Sequence, residues 1–136
     1  MRYLVPVVIA ASFGACSGAA PAPSFDTETL PTTIVVKVGE SRTFGSSRVR
    51  FSEVKGDSRC PVDVVCVWAG NAEIALVVEP TVGEGPAQLL TLNTFLEPHA
   101  GNARGLRFTL VGLTPEPRST DKQRADVATI KVERAE

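Results

Sequence analysis

Cys60 and Cys66 are separated by "PVDVV" within "DSRCPVDVVCVWAG", a stretch from Asp57 to Gly70 that also holds the only tryptophan, Trp68. Two thiols at this spacing either close a disulfide or ligate a metal. Zinc sites favour shorter cysteine spacings and four ligands, and the further donors are Asp57, Asp63 and the lone His99 well downstream. The bridge is therefore the expected state, with no metal and no cofactor. It closes a loop of about seven residues, for which chain entropy gives ~2.4 kcal/mol at 25 °C before strain.

The flanks suit a loop. Asp57 and Ser58 can accept hydrogen bonds from following backbone amides, and Pro61 fixes the dihedral after the first cysteine. Arg59 has two readings: an ion pair with Asp57 or Asp63 that orders the loop, or a side chain projected toward a partner. Trp68 is expected to lie against the bridge or a sheet, its indole nitrogen on a carbonyl; stacking on a ligand is the alternative. Ala69-Gly70 allows a bulge or a close backbone approach. Arg59, Trp68, Asp57 and Asp63 form the candidate binding surface.

Catalysis needs a nucleophile with its base, a pair of tuned carboxylates or an open metal site. His99 follows Pro98 with no adjacent Asp or Ser, and nothing marks Asp57 and Asp63 as more than loop acids. Phosphate loops and dinucleotide fingerprints are missing from the sequence. No enzyme is expected. A net charge of -1 and a pI near 5.9 give no footprint for nucleic acid.

The third cysteine, Cys16, closes an N-terminal segment that reads as an export signal: Arg2, an apolar run from Tyr3 to about Phe13, then small residues. The run is shorter than the roughly 20 residues that span a bilayer. Phe13-Gly14-Ala15-Cys16 resembles the lipobox of bacterial lipoproteins, departing from it at Phe13, where an aliphatic residue is usual. The resemblance implies that residues 1–15 are removed and that Cys16 carries the lipid. It also accounts for the odd cysteine, since an unpaired thiol is a liability in an oxidising compartment. The alternative is an ordinary secretory signal cut near "SGAA", giving a secreted, non-lipidated domain. Without Arg2 the chain has 13 basic against 15 acidic residues, a net of -2, so a membrane partner is met through lipid and not through charge.

Residues 16–31 are rich in Ser, Gly, Ala, Pro and Thr and read as the lipidated cysteine and its tether, able to reach up to ~3.1 Å per residue where stiffened by proline. From Thr32 the hydrophobic period becomes two. Ile34, Val36 and Val38 share a face. Val49 and Phe51 oppose Arg48, Arg50 and Ser52, and Val54 then falls out of phase, which predicts a bulge or the end of the strand near Glu53. The same alternation places Ala72, Ile74, Leu76 and Val78 together, then Leu90 and Leu92, then Leu106, Phe108 and Leu110, and last Ala128, Ile130 and Val132. No window carries a capped helical period.

Six to eight short antiparallel strands over residues 32–136 predict an all-β domain, an antiparallel β-sandwich of immunoglobulin-like or similar type, with a small barrel as second choice. Two connections exceed hairpin length, Phe95 to Gly105 and Thr114 to Arg124. Both have the look of crossings between sheets, and both are loops of the kind where binding sits.

Asp-Ser-Arg-Cys-Pro, four residues, then Cys-Val-Trp-Ala-Gly, preceded by "VGES" and "RVRFSEV", resembles a group of small bacterial lipoproteins and secreted proteins without assigned activity. The resemblance implies location and a β-rich fold. The expected function is a lipid-anchored, disulfide-stapled binding or accessory module of the cell envelope, facing the periplasm or exterior, with an unidentified envelope protein or ligand as partner. A protease inhibitor presenting Arg59 beside the Cys60–Cys66 loop is the alternative.

Overall fold

The structure is a computed structural model and describes residues 29–121 and 124–136. The signal segment, Cys16 and most of the tether lie outside the described residues. Eight strands form: β1 (Thr32–Lys37), β2 (Ser41–Phe44), β3 (Ser47–Asp57), β4 (Ala72–Pro80), β5 (Gln88–Asn93), β6 (Ala100–Ala103), β7 (Leu106–Thr114) and β8 (Val127–Arg134). They make two antiparallel four-stranded sheets, ordered β1-β8-β7-β6 and β2-β3-β4-β5. The fold is the expected β-sandwich.

Around the molecule the strands follow one another in chain order, as in a meander, but the ladder is broken between β1 and β2 and between β5 and β6. The second-choice barrel therefore does not close. At the first seam the chain turns straight onto β3: Gly39 N donates to Phe51 O at 2.7 Å and Phe51 N to Glu40 O at 3.0 Å. At the second seam the chain crosses to the other sheet through residues 94–99.

The core is the set of inward positions that alternation selects. Ile34, Val36, Val49, Phe51, Ile74, Leu76, Val78, Leu92, Phe108, Ile130 and Val132 are all buried between the sheets. Val38 is exposed, because β1 has ended before it. The register of β3 against β4 slips between Phe51 and Glu53, where the change of phase predicted it, and Val54 then packs against the core. A second slip, between Leu110 and Gly112, changes the phase after outward-facing Val111 and brings Leu113 into the interior.

Two strands escape the sequence reading. β2 is a four-residue piece between two turns, and β6, "AGNA", has none of the residues that favour strands. β6 exists because it pairs with β7 through a two-residue turn at Arg104 and Gly105, both at positive φ (51° and 73°), the signature of a tight type I′ hairpin. The Phe95–Gly105 connection is thus a crossing followed by a hairpin. The Thr114–Arg124 connection joins β7 to its own neighbour β8, which corrects the expectation of a crossing there.

The registers give the sandwich two distinct ends. Lys37 pairs with Val127 and Asp57 with Ala72, so the links β1–β2, β3–β4, β5–β6 and β7–β8 gather at one end. Thr32, the first residue of β1, pairs with Val132 at the other.

Candidate functional site

The β3–β4 link is the cysteine stretch, and its root is a continuation of the ladder. Ser58 N donates to Asn71 O (2.7 Å), Cys60 N to Ala69 O (3.0 Å), and the Ser58 hydroxyl to Asn71 O (3.0 Å). The two backbones approach so closely that a Cβ on Gly70 would lie 1.9 Å from Ser58 O. Only glycine fits, and its φ of +73° is one that other residues rarely adopt. Beyond the root, Cys60 and Cys66 are joined as a disulfide with Cα atoms 5.9 Å apart.

A second fastening is electrostatic. Arg59 donates from Nε and Nη2 to both oxygens of Asp57 (2.9 and 2.7 Å), and from Nη1 and Nη2 to the carbonyls of Leu113 (2.6 Å) and Pro115 (3.2 Å). Arg124 also donates to Asp57 and lies 3.7 Å from Asp126. Burial by itself would raise the Asp57 pKa, but the hydrogen bonds and charge of Arg59 and the bond from Arg124 outweigh it and hold the carboxyl below its ordinary 3.8. Its bond to Asp57 pushes the Arg59 pKa upward in turn. A projecting Arg59 is therefore not what the chain forms: the side chain is only 13% exposed and satisfied internally. The spacing did foresee the ion pair with Asp57, the ladder strand residue two positions before it.

Asp63 makes a third fastening. Its two oxygens accept from the amide and hydroxyl of Ser119 in the β7–β8 link, bonds that hold its pKa low. Val62 N donates to Pro117 O at 2.9 Å beside it. Asp57 and Asp63 thus serve different partners and form no carboxylate pair. His99 bonds the Asn93 carbonyl through Nδ1 (2.9 Å) and lies 3.5 Å from Glu97, bracing the β5–β6 crossing. Among the described residues no group of three or more His, Cys, Asp or Glu is placed to hold a metal ion.

A loop so heavily tied might be expected to bury its apolar side chains. It exposes them. Val65 and Val67 stand at 102% and 92% relative exposure, Val62 and Val64 are about half exposed, and Trp68 is 82% exposed. The expectation that Trp68 packs on the bridge or the sheet is corrected: the bridged loop is a finger fastened to the β7–β8 link that leaves the indole largely in solvent. The neighbouring β5–β6 crossing adds Phe95 and Leu96, likewise exposed, and is locked in place by Asn71, whose Oδ1 accepts from both their amides (3.0 and 3.1 Å).

Between these segments runs a groove of about 240 Å³, lined by Cys60, Ala69, Gly70, Phe95, Glu116 and Pro117 among others. A larger groove of about 530 Å³ lies at the opposite end, by Leu30, Pro31, Arg107 and Arg134, and holds none of the residues the motif marks. Phe95, Leu96, Glu116, Ser119 and Arg124 lie in the two long connections that the sequence marked as loops, but neither they nor Asp126 were marked individually, because each joins the site across the fold. One signal was present: "VVCVW" is a run without alternation and without a strand partner.

No protein-family model, no curated protein and no solved structure matches the chain. What the site offers is read from its own geometry: a fastened loop that leaves Val65, Val67 and Trp68 exposed.

Proposed function

We propose that the chain is a lipid-anchored binding module of the bacterial cell envelope, tethered through Cys16 and working through the disulfide-stapled end of its sandwich. The observation that carries the binding role is the pairing of rigidity with exposure. The finger is fixed by its ladder root, the Cys60–Cys66 bridge, the Arg59 bonds and Asp63, yet Val65, Val67 and Trp68 face solvent. Scattered apolar residues on a surface need no explanation, but a contiguous protruding cluster marks an interaction site. Preorganisation lowers the entropy lost on binding. Anchoring is supported by the lipobox-like residues before Cys16 and by the odd cysteine count.

Fractionation tests the anchor. Cys16→Ser should move the protein from the membrane fraction to the soluble one. If parent and variant both distribute as soluble protein, the secreted, non-lipidated form is the correct one. Trp68→Ala tests the module: with an unchanged fold, it should lose whichever envelope component the parent retains on purification.

A further inference from the structure

The Cys60–Cys66 bridge ties no strand to another. It spans a separation of 6 positions inside the β3–β4 link, and neither cysteine belongs to the core between the sheets. The fastenings around it do not use the sulfurs. Cys60 N reaches Ala69 O, Ser58 reaches Asn71, Val62 N reaches Pro117 O, Asp63 holds Ser119, and Arg59 spans to Leu113 and Pro115. A bridge closing so short a loop also constrains the unfolded chain less than one closing a long loop. The domain therefore keeps its own ties when the bond is open.

The tip of the finger does not. Among the described residues Val65, Val67 and Trp68 make no hydrogen bond or ion pair, so between Val64, whose amide meets the Pro61 carbonyl, and Ala69 the segment is fixed by the bond from Cys66 to Cys60. The two cysteines differ in access. Cys66 is exposed and sits between Val65 and Val67, which are almost wholly in solvent, whereas Cys60 is half-buried. Access decides which sulfur of a disulfide a thiolate attacks.

We infer that the Cys60–Cys66 bond is a site of thiol–disulfide exchange on the folded domain, attacked at Cys66 by a dithiol reductant, and that its state decides whether Val65, Val67 and Trp68 are held or released. In the first step the reductant's thiolate bonds Cys66 Sγ, the bond to Cys60 Sγ breaks, and Cys60 leaves as a thiolate that takes up a proton. The reductant's second thiol then gives up its proton, its sulfur displaces Cys66, and Cys66 leaves as a thiolate that is protonated in turn. The reductant ends as a disulfide and the chain as two thiols, a transfer of two electrons. A redox change of this kind acts as a switch when it frees a surface without unfolding the domain that carries it. Neither the lipid at Cys16 nor a partner for the finger is needed for this chemistry.

The test incubates the full chain, in detergent and without denaturant, with thioredoxin whose second active-site cysteine is replaced by serine, so that the mixed disulfide is trapped. Peptide mass mapping should place the adduct on Cys66 in about tenfold or greater excess over Cys60. With intact, reduced thioredoxin both cysteines should become open to alkylation while the far-UV circular dichroism of the strands is unchanged. An elastase-type protease should then cut between Val64 and Val67 about tenfold or more faster than in the oxidised chain, as expected of a segment released within a folded domain. Cys60→Ser with Cys66→Ser should be folded and match the reduced parent in that rate. The exchange site is overturned by the absence of a trapped adduct or by an adduct mainly on Cys60. The switch is overturned if strand signal is lost in step with reduction, if the double variant does not fold, or if cleavage is indifferent to the bond.

Discussion

Arg59 bonds the Asp57 carboxylate of one sheet and, at 2.6 Å, the Leu113 carbonyl of the other. One guanidinium thereby clamps β3 to β7 across the open end of the sandwich. Its planar fork of donors is what allows three acceptors to be met at once, which a lysine ammonium on a flexible stem cannot reproduce.

Arg59→Ala should therefore destabilise the domain by about 2 kcal/mol, the usual scale for losing hydrogen bonds to a charged group. Arg59→Lys should recover less than half of that. Urea unfolding of the three proteins measures both; an Arg59→Ala midpoint equal to the parent's would show that the clamp contributes nothing.

The same clamp sets a response to acid. Asp57 titrates below its ordinary 3.8 when folded, so its contribution is complete above that value and is lost as pH falls through the lower, folded one. The stability gap between parent and Asp57→Asn should be constant from about pH 5 to 7 and shrink below about pH 4. Denaturant midpoints taken at intervals from neutral to strongly acid pH provide the comparison, and a gap that widens with acid would contradict the sign.

Gly70 and Gly39 separate two reasons for keeping a glycine. Gly39 has φ +88° but open space around its missing Cβ, so Gly39→Ala should cost about 1 kcal/mol of backbone strain. Gly70→Ala adds a collision with Ser58 O and should cost roughly 2–4 kcal/mol. Thermal unfolding ranks the pair.

Trp68 and Phe51 are aromatic residues with opposite duties. Phe51 is fully buried, and Phe51→Ala should cost about 3–5 kcal/mol. Trp68→Ala should change stability by no more than about 0.5 kcal/mol, the range of surface substitutions. Because Trp68 is the only tryptophan, its emission in the free protein should match that of an indole in water, and quench freely with acrylamide. A blue, shielded emission would place it inside and remove the finger from consideration.

The strand faces were legible because burial on one side of a sheet writes a period of two into the sequence, even to the slip at Ser52 in β3. β6 was not, since its Ala, Gly and Asn residues become a strand only when β7 offers them a ladder. Arg59 with Asp57 was legible as neighbours in sequence, whereas the Leu113 carbonyl meets Arg59, and Arg124 meets Asp57, through tertiary structure alone. Trp68 misled for a physical reason: residue type gives the average preference of an indole for burial, whereas the short bridged loop carries this one into solvent.

The strand order also dictates a timetable. β2 to β5 and β6 to β8 are runs of neighbours that can zip from local hairpins, but among the described residues β1 has no ladder partner except β8, the last strand. Closing so long a loop is slow relative to hairpin formation. β1 should thus be the last strand secured, although it is the first in the chain. Pulse-labelled amide exchange during refolding should find Val35 and Lys37 protected only after the β3–β4 ladder, and earlier protection there would rule this order out.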